Sequence, residues 1–291
     1  MPPQERTLRT EDGLELAGLA LPAPGAPRAA VAMVHGLGEH HGRHEGVRQA
    51  LHREGFAVAA ADLRGFGRSP GARGHVDGWD DYRRDVAAIV GLARSLAEGR
   101  PVFLYGHSMG GLIVLDVALR RPEGLAGVVA SAPALEPAGP RRPVLEALSR
   151  PLAAIAPGRA IELGLDPAGL STDPAVVEAY RADPLVHGRV SMRWGAEILR
   201  TMAEVRAAAP RFPLPLLLLH GDDDPINAPA GSVAFHAACG HPDRTLRRYP
   251  GSRHEVHHDV GRRAFERDLV RWIGERAQRA ETAAPGPRGR A

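Results

Sequence analysis

The sequence contains no lysine and only one cysteine, Cys239, among its 291 residues. A single cysteine excludes an intramolecular disulfide and leaves no set of thiolates for a cysteine-based metal site. We expect Cys239 to have a buried packing role. Because lysine is missing, all 37 basic residues are arginine. We attribute this bias, with the abundance of alanine, glycine and proline, to a GC-rich coding genome and not to function.

Aromatic residues are also scarce, at 4% of the chain, and the formal net charge is only +3. Basic and acidic residues alternate along most of the sequence and form no basic patch interleaved with aromatic side chains. A nucleic-acid partner is therefore not expected, since such proteins present a clustered basic surface and stacking platforms.

Long apolar runs are missing as well. No run reaches the length of about 18 residues that a membrane-spanning helix needs. The amino-terminal stretch "MPPQERTLRTEDG" is polar and has no apolar segment typical of a secretory signal. We expect a cytoplasmic protein.

Short apolar runs rich in valine, alanine and leucine recur instead, and each predicts a strand buried on both faces. They occupy residues 29–36, 56–65, 101–106, 125–133 and 214–221. Between them lie amphipathic patterns such as residues 79–99, where Tyr82, Val86, Ile89, Val90 and Ala93 share one helical face. Alternating strands and helices predict an α/β fold with a mostly parallel central sheet covered by helices on both faces.

The alternation stops after Pro133, which divides the chain into parts. Residues 1–134 and 207–277 are predicted to form the core, and residues 135–206, which show no strand-like run, a helical cap or lid over the carboxyl edge of the sheet. The alternative is a helical segment that only covers one face of the sheet. Residues 278–291 have no apolar period, which predicts a disordered tail.

The stretch "YGHSMGG", residues 105–111, lies between an apolar strand and an apolar helix and contains the pattern G-x-S-x-G. Glycines two residues before and after Ser108 let the strand and helix approach each other at a sharp turn that exposes the serine. The pattern alone is weak, but its position between strand and helix favours Ser108 as a nucleophile over a simple tight turn.

A serine nucleophile needs a base and an orienting carboxylate, in the chain order Ser, Asp or Glu, His. Three aspartates follow the strand "LPLLLLHG", and we favour Asp224 because it is braced by Pro225 and followed by an apolar residue. Among the histidines after the last predicted strand, His254 comes directly after a Pro-Gly turn and is the expected base.

An oxyanion hole needs two backbone N–H groups directed at the developing negative oxygen. Met109, the residue after the nucleophile, is expected to provide one. Leu37, between Gly36 and Gly38 in the loop after the first buried strand, is expected to provide the other.

The chain resembles the monoacylglycerol lipase and lysophospholipase branch of the α/β-hydrolases over roughly residues 8–275. The resemblance depends on five motifs in the family's order: "HGLGEHHGR" (35–43), "DLRGFGRS" (62–69), "GHSMGG" (106–111), "HGDDDPI" (220–226) and "YPGSRHE" (249–255). Residues 170–199 also look like the lid of that branch. The chain departs from the family's usual residues at His44 and Phe66, which concerns substrate preference but not the triad.

The resemblance implies Ser108, Asp224 and His254 as the triad and Leu37 and Met109 as the oxyanion amides. It also implies that Glu39, Arg43 and His257 lie near the polar end of the pocket, where a glycerol would bind. The alternative for these residues is a solvated loop with an internal Glu–Arg ion pair, since such exposed pairs are common.

The expected reaction is hydrolysis of a monoacylglycerol to fatty acid and glycerol through an acyl-enzyme, without a metal or organic cofactor. Lysophospholipase or general carboxylesterase activity is the alternative, and a haloperoxidase would keep the same triad. A non-catalytic ligand-binding protein is a further alternative. The leucines of residues 144–156 predict transient contact with a membrane or micelle surface, unless that face packs on the core.

Overall fold

An eight-stranded sheet forms the centre of the protein, which is represented here by a computed structural model that describes residues 2–139, 151 and 153–283. The spatial order of the strands is β1-β2-β4-β3-β5-β6-β9-β10. The strands in this described part of the chain are β1 (Gln4–Arg9), β2 (Glu15–Leu21), β3 (Ala29–Val34), β4 (Phe56–Ala61), β5 (Val102–His107), β6 (Gly127–Ser131), β7 (Ala160–Glu162), β8 (Arg189–Ser191), β9 (Leu216–Gly221) and β10 (Arg244–Tyr249).

Strands β3, β4, β5, β6, β9 and β10 run parallel, and β1 and β2 add an antiparallel edge. Every residue of β3, β4, β5, β6 and β9 is buried, as expected for strands covered on both faces. Each of the five predicted strands is present, so the predicted fold class is confirmed. The edge strands β1 and β2 were not predicted: β1 is mostly exposed and has no apolar run, and the apolar run of β2 was not recognised as a strand.

Seven α-helices whose bounds lie within the described residues cover the sheet and extend above it: α1 (Glu45–Arg53), α2 (Asp80–Ala97), α3 (Met109–Arg120), α4 (Pro174–Ala182), α5 (Met192–Ala208), α6 (Pro229–Ala238) and α7 (Arg262–Ala283). Short 3-10 turns occupy His41–His44, Pro167–Gly169, Ala209–Arg211 and Val256–His258. Helix α2 matches the predicted helix of residues 79–99, and the five side chains predicted to share its inner face are all buried.

The segment between β6 and β9 contains more than the helices expected for residues 135–206. Helices α4 and α5 are accompanied by an antiparallel pair, β7 and β8, so the expectation of an all-helical insertion was wrong. Strands of three residues are too short to show an alternating pattern, which explains the error. Of residues 144–156, which were predicted to contact a lipid surface, 144–150 and 152 lie outside the described residues; Ile155 is 83% exposed.

The carboxyl-terminal helix α7 extends to Ala283, so residues 278–283 are helical and not part of a disordered tail as predicted. The helix is fixed near this end by two ion pairs with other parts of the chain, Arg276 with Asp243 and Glu281 with Arg100. Residues 284–291 lie outside the described residues. Within the described part of the chain, no helix is long and apolar enough to cross a bilayer.

Candidate active site

Ser108 lies at the junction of β5 and α3, in a backbone conformation that a non-glycine residue rarely adopts. Its φ is 54° and its ψ is −117°. The strained turn is held from both sides: the Ser108 amide donates to the Ser131 carbonyl at 2.9 Å, and the Ala134 amide donates to the Ser108 carbonyl at 3.0 Å. Positive φ at a polar residue between strand and helix marks a functional constraint.

The two glycines of the G-x-S-x-G pattern are required by close backbone contacts. A Cβ added to Gly106 would lie 2.2 Å from the Gly110 carbonyl oxygen. One added to Gly110 would lie 2.4 Å from the carbonyl oxygens of Val34 and His35. Helix α3 therefore packs directly against the ends of β3 and β5, which is the close approach that the sequence pattern predicts.

Of the three consecutive aspartates after β9, only Asp224 faces a histidine of the predicted triad. Its Oδ2 lies 2.7 Å from His254 Nδ1. Its Oδ1 accepts hydrogen bonds from the amides of Ile226 (2.8 Å) and Asn227 (3.0 Å), which fix the carboxylate. His220 Nε2, 3.1 Å from Oδ2, adds a further contact.

The other two aspartates point elsewhere. Asp222 bonds the Arg248 guanidinium at 2.7 Å, and Asp223 is exposed. The structure thus separates Asp224 from its neighbours, as the sequence argument expected.

Asp224 and His254 shift each other's protonation equilibria. Burial favours the neutral acid, but the hydrogen bonds and charges of His254 and His220 outweigh it and hold the pKa of Asp224 well below its usual range. Burial works against a charged imidazole, yet the adjacent Asp224 raises the pKa of His254 above 6.5. Asp224 is therefore a carboxylate that stabilises a protonated His254, as a general base requires.

Ser108 and His254 line the same cavity, which has a volume of about 330 Å³. Leu37, Met109 and Glu39 also line it. Most of its wall is apolar and comes from the segment between β6 and β9; it includes Leu163, Leu165, Leu170, Trp194, Ile198 and Met202. A concave apolar cavity with a few convergent polar groups is typical of a small-molecule site.

The predicted oxyanion amides lie beside the serine. Met109 is the first residue of α3, where an amide has no partner within the helix. The loop that carries Leu37 touches the serine, since a Cβ on Gly36 would lie 3.2 Å from the Ser108 Cβ. Glu39 Oε1 accepts the Gly36 amide at 2.6 Å and so fixes this loop.

Glu39 and Arg43 belong to a buried ion-pair network, so the alternative of a solvated loop was wrong. Arg43 Nη2 donates to both carboxylate oxygens of Glu255 (2.9 and 2.7 Å), and its Nε lies 3.3 Å from Glu39 Oε2. The Arg43 and Glu39 side chains are only 7% and 4% exposed. Tyr180 of α4 covers the guanidinium, with its ring centroid 4.7 Å away.

Glu255 was missed by the sequence argument, although it directly follows His254. It lines the cavity, whereas Arg43 lies behind it. Its position next to the expected base was the one feature of the sequence that pointed to Glu255. That feature does not indicate that Glu255 pairs with the distant Arg43.

His257 does not reach the cavity wall described above. It is buried, stacks on His44 at 4.9 Å and contacts His107, and neither of its ring nitrogens bonds to a protein atom within the described residues. Burial, together with the neighbouring His258 and His107, holds the pKa of His257 well below its usual range, so the ring is neutral. Of the three residues implied at the polar end, only Glu39 lines the cavity.

One group of side chains in the described ranges has the composition of a metal site. Glu255, His257 and His258 place ligand atoms within 4.8 Å of one another. The Glu255 carboxylate, however, already bonds Arg43 and His258 Nδ1, the latter at 2.9 Å. These contacts supply its partners without an ion.

Comparisons with known proteins identify relatives of this chain among hydrolases. The family model described as "Serine aminopeptidase, S33" matches residues 25–261. A monoacylglycerol lipase of Mycolicibacterium smegmatis is 36% identical over 248 residues, which are 85% of this chain and 88% of that protein. An abhydrolase domain-containing protein of Dictyostelium discoideum is 34% identical over 89% of this chain, but the match spans only 28% of that longer protein.

Among solved structures, the monoacylglycerol lipase of Paleococcus ferrophilus superimposes with a TM-score of 0.83 at 36% sequence identity. The match covers 90% of this chain and 100% of that one. The mostly parallel central sheet with its covering helices thus has the α/β-hydrolase fold.

Proposed function

Because the chain belongs to the serine aminopeptidase S33 family of α/β-hydrolases, we propose that it hydrolyses the carboxylic ester of monoacylglycerols, releasing a fatty acid and glycerol. One observation carries the proposal. A serine held in a strained strand-to-helix turn opens into the same apolar cavity as a histidine that is hydrogen-bonded to a buried aspartate at 2.7 Å.

In the proposed reaction, His254 Nε2 takes the proton of the Ser108 hydroxyl as the oxygen attacks the ester carbonyl. Asp224 accepts the Nδ1 proton of His254, which fixes the tautomer and stabilises the imidazolium. The tetrahedral intermediate collapses, and the alcohol leaves with the proton from His254. Water then attacks the acyl-enzyme by the same steps, which releases the fatty acid and restores Ser108.

The amides of Leu37 and Met109 are proposed to stabilise the oxyanion. Such donors contribute about 10²–10³ in rate each. Glu39 supports this role indirectly, because its bond to the Gly36 amide holds the loop in which Leu37 stands.

The walls of the cavity favour an acyl chain at one end and a polar alcohol at the other. Burying a methylene in an apolar wall gains about 0.8 kcal/mol. The leucines, Trp194, Ile198 and Met202 offer such a wall, while Glu39 and Glu255 offer the hydrogen-bond acceptors that a glycerol hydroxyl needs.

Hydrolysis of a series of monoacylglycerols from acetyl to octadecanoyl tests the proposal, with lysophosphatidylcholine as the competing substrate. We expect a medium- or long-chain optimum. Activity confined to short esters would leave a general carboxylesterase. A lysophosphatidylcholine rate above that of the matched monoacylglycerol would favour a lysophospholipase.

We also propose transient contact with a lipid or micelle surface through the segment above the cavity. Leu165, which lines the cavity, is 45% exposed, and Ile155 is 83% exposed. Apolar side chains at a cavity mouth would enter the interface and shorten the path of the substrate. Flotation with neutral liposomes measures this contact, and a chain that stays with the soluble fraction would contradict it.

A further inference from the structure

The charged residues that line the cavity, within the described part of the chain, all have the same sign. They are Glu39, Asp166 and Glu255. The chain has no lysine, so only arginine or a protonated histidine could oppose them. Asp166 is exposed at the rim, whereas Glu39 and Glu255 are buried.

Both buried glutamates are ionised. Burial opposes this, but His44 and Arg43 hold the pKa of Glu39 well below its usual range. Burial likewise opposes ionisation of Glu255, yet the hydrogen bond with His258 and the charge of Arg43 lower its pKa to about 2. Two carboxylates therefore share the guanidinium of Arg43, which lies behind them.

Histidines contact this pair of carboxylates from several sides. His44 Nε2 lies 3.0 Å from Glu39 and His258 Nδ1 lies 2.9 Å from Glu255. His254, next to Glu255, has its own carboxylate partner in Asp224, at 2.7 Å. His107 also faces this region, and burial lowers its pKa to about 3, so it is neutral. Glu39, Glu255 and Arg43 together carry two negative charges and one positive charge, in a buried setting where charge is weakly screened.

In the proposed cycle the leaving alcohol would occupy the polar end of the cavity, where both glutamates line the wall together with Ser108 and His254. Glu255 directly follows His254, which delivers the proton to the leaving oxygen in the proposed cycle, and Glu39 is fixed to the loop beside Ser108. The apolar wall that would hold the acyl chain comes from other residues.

We propose that Glu39 and Glu255 select the leaving alcohol by its charge. The enzyme accepts fatty-acyl esters of neutral alcohols and also of cationic amino alcohols such as choline, and it rejects esters whose alcohol carries a phosphate. The chemistry is that of the proposed function, on which this inference rests: the acyl C–O bond breaks, water supplies the new oxygen, and the alcohol leaves protonated.

Three decanoyl esters, of glycerol, choline and glycerol 3-phosphate, test this selection below their micelle concentrations. We expect kcat/KM for the choline ester to equal or exceed that for the glycerol ester. The phosphate ester should be slower on the order of 10- to 100-fold, equivalent to about 1.4–2.8 kcal/mol. Equal rates for the phosphate and glycerol esters would overturn the inference.

Two variants locate the effect. Glu255→Gln removes one charge of the pair and should raise the ratio of phosphate-ester to glycerol-ester kcat/KM by about tenfold. Glu39→Gln removes the other charge, and we expect the same effect on this ratio. Glu178→Gln on α4, at a side chain that is 70% exposed and does not line the cavity, is the matched control and should leave the ratio unchanged. Because each ratio is taken within one variant, a general loss of activity does not mimic the effect.

Non-hydrolysable decyl ethers of the same three alcohols separate this inference from the proposed reaction. Their ability to protect Ser108 from a fluorophosphonate probe reports binding without turnover. Protection by the choline and glycerol ethers but not by the phosphate ether would support charge selection even if no ester were cleaved, an outcome that would refute only the ester hydrolysis. Equal protection by all three would refute charge selection.

Discussion

The carboxylate of Asp224 and Nδ1 of His254 lie 2.7 Å apart, although 30 residues separate them in the chain. The hydrogen bond places the Nδ1 proton towards the aspartate and leaves Nε2 free to act as a base. The two residues stand in loops after neighbouring parallel strands, β9 and β10, whose carboxyl ends meet at one edge of the sheet. The fold thus produces the pair before any substrate is present.

Asp224→Asn tests this pair. The amide can donate to Nδ1 and stabilise the wrong tautomer, and we expect kcat to fall by about 10⁴-fold with little change in KM. Asp223→Asn is the matched control, since Asp223 is exposed, and it should keep activity. Equal losses in both variants would contradict the assignment of Asp224.

Much of this site could be predicted because its signals are local. The glycines around Ser108 lie two positions before and after it and belong to the same turn, and the strand before Asp224 is a single apolar run. The order of buried strands then brings these loops to the same edge. Local patterns and the rules of parallel sheets were sufficient for that much.

The ion-pair network could not be predicted in the same way. Arg43 and Glu255 are 212 positions apart, and the motif that singled out Arg43 gave no indication that Glu255 is its partner. The alternative of a solvated Glu–Arg pair stayed open because exposed pairs of this kind are common, and burial under Tyr180 depends on where α4 lies. Short strands such as β7 and β8 were missed because three residues cannot show the alternation of apolar and polar side chains that predicts a strand.

The pH dependence of kcat/KM is expected to show an acid limb set by His254. The base must be neutral to accept the serine proton, and Asp224 raises the pKa of His254 above 6.5. Activity should therefore be lost as pH falls through a value higher than that of a free imidazole. Glu255→Gln should move the limb to lower pH, because the Glu255 charge contributes to the raised pKa. A limb that does not move in this variant would contradict the electrostatic account.

Gly110→Ala should strongly destabilise the folded protein or prevent it from folding correctly. The added methyl would meet two backbone carbonyls at 2.4 Å, and we expect a loss of about 3 kcal/mol in the free energy of unfolding. Gly91→Ala in α2 is the control, since nothing lies within 4 Å of its added Cβ. That change should stabilise the protein by about 0.5–1 kcal/mol. Urea denaturation of both variants measures the difference.

Arg43→Gln should destabilise the protein by about 3–5 kcal/mol near neutral pH, because it leaves two buried carboxylates without their cation. The loss should shrink on acidification, as the unpaired carboxyls become protonated. The wild type should instead lose stability on acidification. The depressed pKa of Glu255 contributes stability above about pH 4.5, and this contribution is lost as pH falls towards about 2. Arg53→Gln, at a side chain that is 63% exposed, should change little.

Hydrolysis of a decanoyl monoacylglycerol by the wild type and by Ser108→Ala tests the central claim most directly, with fluorophosphonate labelling of both proteins measured in parallel. The account predicts that the substitution removes both turnover and labelling while the melting temperature stays near that of the wild type. Turnover or labelling retained by Ser108→Ala would show that another residue is the nucleophile and would contradict the account.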